Sequence, residues 1–517
     1  EILWFRLVDV AVKATAFTFG TVLCLYLLGS ALGSLWGARR VERLGAPLTA
    51  FLAIQCLLLL LSGAAVALLA RLPPGLPVYR ALFEYWGGGP FRLGDDFALG
   101  PLLLLYGLLP VLLYGAPTFL MGLSFPLAQR GAQDEVRTSG WKAGLLQSAN
   151  ILGCVAGSLL AGLWGLERLG TIGTLRTLLL LGLVFALLGW RRGPRPLFAG
   201  AALGLLVVAA ALPPNAELWT RLHGVAAAPA ALVEEDATGV AALTSHRAGS
   251  WEVWTNGHSH SGLPFGGVHT ILGALPVAVH PAPLDVAVVG LGSGDSAWAA
   301  GWRTETRRVE VFELCGAQRV LLERLEAQAA VPKLGGFLRD PRVLLRVADG
   351  RQALAARPGA FDVVQIDALW PYYAFSGHVY SQEFFELAGR SLKPGGIFCS
   401  WAPTPRVRAT FARAFPHVLA ARHGQVLLGS LTPIGGSPRE WLERLAALLG
   451  PRPSRLAHAR LTAIAWRYRG QRPGRGCVHR GPYRFRRAAS QWQIALPHSL
   501  CQRPDSPGEG VLVDEPV

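Results

Sequence analysis

The chain is short of lysine, of paired cysteines and of charge inside its apolar stretches, and each shortage excludes something. Of 49 basic residues only Lys13, Lys142, Lys333 and Lys393 are lysines, against 33 acidic residues and a net charge of +16. No basic stripe interleaved with aromatics occurs, which speaks against nucleic acid as a partner. The seven cysteines (Cys24, Cys56, Cys154, Cys315, Cys399, Cys477, Cys501) form no CxxC pair and no ligand-type spacing with histidine. That pattern argues against a disulfide framework and against a zinc site, and no metal is expected. No methionine opens the chain, and Glu1–Arg6 reads as the run-out of an earlier apolar segment, so an N-terminal truncation is expected.

What is present divides into two halves. Residues 1–212 carry long apolar stretches, and a crossing needs about 20 such residues. Six are expected: Ala14–Trp36, Ala46–Leu69, Ala98–Leu120, Ala143–Leu163, Thr171–Trp190 and a shorter Leu197–Leu212. Gly29, Gly33, Gly153, Gly157 and Gly162 suit close helix packing in lipid. None of the stretches holds a central Asp, Glu or Lys that would mark an ion path; Glu84, Asp95 and Asp96 fall in a loop instead. Arginines and a lysine cluster at Arg39, Arg40 and Arg43, at Arg130, Arg137 and Lys142, and at Arg191, Arg192 and Arg195. The positive-inside rule puts these loops in the cytoplasm. The soluble half is expected there too, although a full sixth crossing would carry it outside.

Residues 213–265 read as a small β domain with a hairpin, residues 266–435 as an α/β domain, and residues 436–517 as a helix, Pro438–Leu449, followed by a disordered basic tail from Arg467. Phe411–Leu431 reads as the last helix and strand of the α/β domain. In that domain a β-branched run passes straight into Gly290-Leu291-Gly292-Ser293-Gly294. Glycines there let the backbone turn tightly and approach a ligand. A second strand ends in Glu313, 19 residues after Gly294, where an acid can accept both ribose hydroxyls of a nucleoside. A third ends at Asp349-Gly350 and a fourth at Asp367. Acids at successive strand ends around one glycine loop point to a nucleotide-binding crevice.

These features, with Tyr380-Ser381-Gln382-Glu383-Phe384-Phe385 and Leu392-Lys393-Pro394-Gly395-Gly396, resemble the spermidine synthase (polyamine aminopropyltransferase) family from about Glu234 to Pro403. GTVLCLYLLGSALGSLWGARR and APTFLMGLSFPLAQR are similar to its membrane-fused bacterial members. The resemblance implies an α-helical transmembrane bundle followed by a Rossmann-like domain of the S-adenosylmethionine methyltransferase type with a small β-hairpin domain in front. It further implies an integral protein of the bacterial inner membrane, embedded in the lipid bilayer, and leaves a homodimer open. Gly290, Gly292, Gly294, Glu313, Asp349 and Gly350 would hold decarboxylated S-adenosylmethionine. Asp367 would take a proton from an attacking small-molecule amine, with His269 and Tyr380 on the substrate side.

Departures from the family pattern redirect part of this. Ser293 stands where the family has an Asp for the donor ammonium, Trp370 where it has a second polyamine-binding Asp, and Val268-His269-Thr270 where it has Tyr-His-Glu. A diamine would normally meet several carboxylates, because an unpaired buried ammonium is costly. The alternatives are therefore methyl transfer from S-adenosylmethionine, or a transporter-like protein with an adenosyl-binding sensor domain and no turnover. His269 also has a purely structural reading.

Overall fold

The computed structural model describes residues 1–73, 76, 103–133, 136–223, 231–247, 249–329, 331–367, 371, 373–374, 376–422, 424–449, 486–488 and 491–493. The chain divides into two units, Glu1–Tyr468 and Arg469–Val517. In the second, Arg486–Ala488 pairs antiparallel with Gln491–Gln493. The rest of the basic tail, the loop with Glu84, Asp95 and Asp96, and Trp370 lie outside the described residues.

Among the described residues four helical runs are long and apolar enough to cross a membrane: Thr18–Arg43, Pro47–Arg71, Leu104–Ala132 and Ser139–Arg192. The pair Arg195–Ala211 and Asn215–Leu222, bent by 67°, makes a fifth if it is one span. The sequence suggests six, and the difference lies mainly in Ser139–Arg192. Its 54 residues would extend about 80 Å at 1.5 Å each, far more than one crossing. Gly170 breaks it with φ 66° and ψ −174°, and Gly165 comes against Thr174, so the chain folds back there. The two expected stretches are both present as legs of one bent run. Close packing explains some of the glycines and not others. A Cβ on Gly33 would lie 1.9 Å from the Phe119 carbonyl oxygen and one on Gly29 2.1 Å from Thr118 Oγ1, whereas Gly153 and Gly157 meet nothing within 4 Å.

The fold-back is held by the soluble half. Glu235, at the end of the first β-strand, accepts hydrogen bonds from the Thr171 backbone N–H and hydroxyl, from Trp219 Nε1 (2.8 Å) and from the Arg6 guanidinium (3.1 Å). A carboxylate at this point caps the helix that restarts at Thr171 and meets its positive dipole end. Asn215 completes the junction, accepting from the Ile172 N–H and donating to the Leu169 carbonyl. A Cβ on Gly170 would sit 2.2 Å from the Asn215 amide, in a backbone region open essentially to glycine alone. Gly170→Ala is therefore expected to destabilise the protein by about 1–3 kcal/mol, seen as a lowered thermal midpoint in detergent; an unchanged midpoint would contradict the junction's role.

Four antiparallel strands follow in the order β1 (Ala231–Glu235), β2 (Val240–Arg247), β3 (Ser250–Thr255) and β4 (His258–Leu263). The turn at Asn256 and Gly257, both at positive φ, matches a primed hairpin turn. Next comes a seven-stranded sheet in the order β10-β11-β9-β8-β5-β6-β7. Its parallel members are β5 (Asp285–Val289), β6 (Arg308–Glu313), β7 (Val343–Val347), β8 (Phe361–Ile366) and β9 (Leu392–Trp401). β8 is buried throughout, as its near-continuous apolar run requires. Beyond β9 the region expected to hold one helix and one strand holds the helix Pro405–Ala414 and two antiparallel strands, β10 (His417–Ala421) and β11 (Val426–Ser430), that close one edge of the sheet. Strand order reverses between β5 and β8, which opens a crevice at their carboxyl ends where ligands bind in such sheets.

Candidate active site

The crevice is lined by the residues that end β5, β6 and β8. Gly290, Gly292 and Gly294 adopt φ of 94°, 52° and 89°, a backbone region that favours glycine at each of these three alternate positions. A Cβ on Gly290 would lie 3.0 Å from the Asp367 carbonyl oxygen, which shows how closely the glycine loop and the end of β8 approach. The loop is steadied from the small sheet, because the Ser293 N–H donates to Ser261 Oγ (2.8 Å).

Glu313 reaches back under this loop. Its Oε2 accepts the Leu291 N–H (2.7 Å) and its Oε1 the Cys315 N–H (2.8 Å). Burial pushes its carboxyl above the usual range and the backbone N–H groups draw it back down. Each carboxylate oxygen has a further lone pair, so two ribose hydroxyls can be accepted without displacing either backbone donor. Asp349 is also an N-cap: its Oδ1 accepts the Arg351 N–H (2.8 Å) and opens the helix Gly350–Ala355. Gly350 packs on Val289 so closely that a Cβ would come within 2.7 Å of that side chain. Asp349 is thereby drawn toward the end of β5. The residues expected to hold an adenosyl group thus lie around one crevice.

Asp367 follows β8, and its Oδ2 lies 2.7 Å from His269 Nδ1. The pair is mostly buried, with side-chain exposures of 22% for His269 and 13% for Asp367. The structure thus places His269 against Asp367, a contact that either reading of His269 allows. Asp367 also acts on Tyr380 and Cys399. Burial raises both groups well above their ordinary values, and the carboxylate raises them further. The hydroxyl of Tyr380, the hydroxyls of Ser293 and Ser296 and both amide atoms of Gln365 are buried and have no hydrogen-bond partner among the described residues. Buried polar atoms are normally satisfied, so water or a ligand is expected to complete these. Nearby, a cavity of about 480 Å³ is walled by Trp251, Glu252, Ser261 and Gly266, among others.

Two acids here escaped the sequence reading. Asp295, two residues past Ser293, is 2% exposed and accepts from Thr270 Oγ1 (2.6 Å) and from the Gly266 N–H (2.8 Å). Glu252 lies on a strand of the small sheet and faces the cavity. The signal for Asp295 was an acid directly after the glycine loop; nothing local marked Glu252. The site is therefore less poor in carboxylates than Ser293 and Trp370 suggest. Among the described residues no three His, Cys, Asp or Glu side chains gather as a metal site would require.

The loop after Asp367 is tied to the helical half. Thr15 bridges Tyr373 as in an antiparallel ladder, the Ala374 N–H donates to the Ala14 carbonyl (2.7 Å), and Tyr373 stacks on His258. Thr15 lies three residues before the first long apolar helix.

Residues 267–414 match the spermine/spermidine synthase domain. Among curated proteins, spermidine synthase 1 of Pisum sativum is 31% identical over 132 residues, covering 25% of this chain and 37% of that protein. The polyamine aminopropyltransferase of Thermotoga petrophila is 27% identical over 140 residues, 26% of this chain and 45% of its own length. The chain thus spans less than half the length of these relatives. A solved structure of spermidine synthase from Thermotoga maritima covers 40% of this chain and 73% of its own, with 18% identity and a TM-score of 0.34. The chain carries, behind a set of long apolar helices, a domain of the spermine/spermidine synthase family.

Proposed function

We propose that this protein is a membrane-anchored transferase that moves an alkyl group, in the first place aminopropyl, from an adenosyl sulfonium donor to an amine. The observation that carries the reading is the Asp367–His269 pair beside the glycine loop. In such a displacement the amine lone pair forms the new nitrogen–carbon bond while the carbon–sulfur bond breaks. Sulfur leaves as a neutral thioether, so no acid is needed for the leaving group. What the reaction needs is an unprotonated, aligned amine and an acceptor for the proton it sheds. Asp367 takes that proton, and His269 fixes the orientation of its carboxylate through Nδ1. Glu313, Asp349 and the glycine loop hold the adenosyl part, and Tyr380 and the cavity side of Glu252 face the acceptor.

Ser293 favours a second reading, methyl transfer from S-adenosylmethionine, because the acid expected to meet an aminopropyl ammonium is absent there. Calorimetry separates the two. Tighter binding of decarboxylated S-adenosylmethionine than of S-adenosylmethionine is expected; the reverse order would favour methyl transfer.

Anchoring in a bilayer is supported by exposed leucines along the helical half, such as Leu68 (70%), Leu152 (69%) and Leu163 (65%), which in water would be an unmanageable apolar surface. Thr49 Oγ1 donates to the Arg192 carbonyl, so the first and third basic clusters share the helix ends away from Glu235. Arg6, Arg71, Arg176 and Arg221 stand at the near ends, bonded to Glu235, Ala211, Leu212 and Leu72. The first and third clusters hold six arginines against these four, so the positive-inside rule leans away from a cytoplasmic site, which rests on the supply of donor. A cysteine introduced at exposed Arg319 should react with an impermeant maleimide only after the membrane is opened; labelling of intact cells would overturn that placement.

A further inference from the structure

Asp295 is a buried acid for which the reaction outlined above has no use. It opens the helix Asp295–Ala300, and its two oxygens are spent on the neighbouring helix Val268–Val279. That helix has Gly267 at its N-cap and no side-chain cap of its own. Asp295 supplies the missing acceptor from another element: Oδ2 takes the Gly266 N–H just before the helix, and Oδ1 takes the Thr270 hydroxyl in its first turn. The two tethers bracket His269 in the chain. Between them His269 holds Nδ1 2.7 Å from Asp367.

We infer that Asp295 is a positioning residue: its carboxylate clamps the first turn of Val268–Val279 on both sides of His269, keeps His269 hydrogen-bonded to Asp367, and puts into the site a negative charge that Ser293 does not provide. The kinetic part of this inference rests on the transferase reading; the part concerning His269 rests on geometry alone.

The local charges agree with it. Burial raises the Asp295 carboxyl above the usual range, its two hydrogen bonds and the His269 ring draw it down, and Asp367 pushes it up again. Asp295 and Asp367 therefore act on His269 together. Other titratable groups around the pair are Tyr380, ahead of the helix Gln382–Ser391, and Cys399 on β9, both of which burial keeps neutral at ordinary pH. A residue that merely stapled two helices would need neither the charge nor the proximity to Asp367. A neutral side chain would do as well.

The test uses the full-length protein in detergent and two substitutions. Asp295→Asn removes the charge and can keep one tether; Thr270→Val removes one tether and keeps the charge. Spectra of protein labelled with ¹⁵N-histidine, with the His269 signal identified by its loss in His269→Gln, read the His269 titration without any substrate. In Asp295→Asn the His269 midpoint should fall by about one pH unit, since a stabilising anion is lost, and in Thr270→Val it should stay. Both variants should lose roughly tenfold in kcat with donor KM unchanged, as a displaced partner of the reacting group costs rate rather than binding. An Asp295→Asn protein whose His269 titrates as in the wild type overturns the inference. So does wild-type kcat in Thr270→Val, which remains decisive if Asp295→Asn does not fold. Absence of turnover with every amine would refute the transferase reading instead, while the His269 midpoint would still decide the role of Asp295.

Discussion

Asp367→Asn is expected to lower kcat by about 10²–10⁴ while leaving donor affinity within a factor of two or so. The substitution is nearly isosteric, and an asparagine Oδ1 can still accept a hydrogen bond from His269, so the geometry at the end of β8 should survive. What disappears is the acceptor for the proton that the amine sheds as its bond to carbon forms. Of the groups around Asp367, Tyr380 and Cys399 are held protonated by burial and Asp295 has both oxygens hydrogen-bonded to Gly266 and Thr270. His269 shares the proton with Asp367, so His269→Gln should cost less, about tenfold. Single-turnover kinetics with saturating donor separate this loss from any effect on binding. A variant Asp367→Asn retaining a tenth or more of the wild-type rate would mean that the proton leaves by another route.

Glu313→Ala should have the opposite signature, a donor Kd weakened by about 10² or more. Hydrogen bonds to a charged acceptor contribute about 1.5–3 kcal/mol each, and two ribose hydroxyls are involved. The alanine also strands the Leu291 and Cys315 N–H groups that the carboxylate now satisfies, and the glycine loop loses its support from below. Methylthioadenosine is the suitable probe, because it carries the ribose without the transferable group. Asp349→Ala should weaken the same ligand less, since in the proposed site Asp349 would make a single contact to the adenine while its other oxygen caps Gly350–Ala355. Unchanged methylthioadenosine affinity in Glu313→Ala would remove Glu313 from the nucleoside site.

Much of the α/β half was legible because its central strands β5, β6 and β8 are largely buried and read as apolar runs, while the exposed edge strand β7 keeps enough apolar residues to be seen, and the carboxyl end of each is marked by the acid or glycine that follows. Glu313, Asp349 and Asp367 were found in this way, and the strand reversal between β5 and β8 brings them round one crevice. The Asp295 clamp was not legible. It joins residues 25 and 29 positions apart through two hydrogen bonds, and local pattern carries no trace of which helix a buried acid will face. His269 and Asp367, 98 positions apart, became a pair only because the two elements pack together. In the helical half, hydropathy found the apolar stretches but not their joins. Whether Gly170 ends one helix or folds a longer one back depends on Glu235 and Asn215, which lie in segments that hydropathy treats as unrelated.

The central claim is that this crevice binds an adenosyl sulfonium donor and passes a group from it to an amine. Release of methylthioadenosine tests it most directly: the purified full-length protein in detergent or vesicles is given decarboxylated S-adenosylmethionine with and without putrescine, and the nucleoside product is followed by chromatography. Methylthioadenosine that accumulates only when the amine is present, and not in Asp367→Asn, is the expected result. Donor bound tightly with no methylthioadenosine formed from putrescine or any longer amine would contradict it.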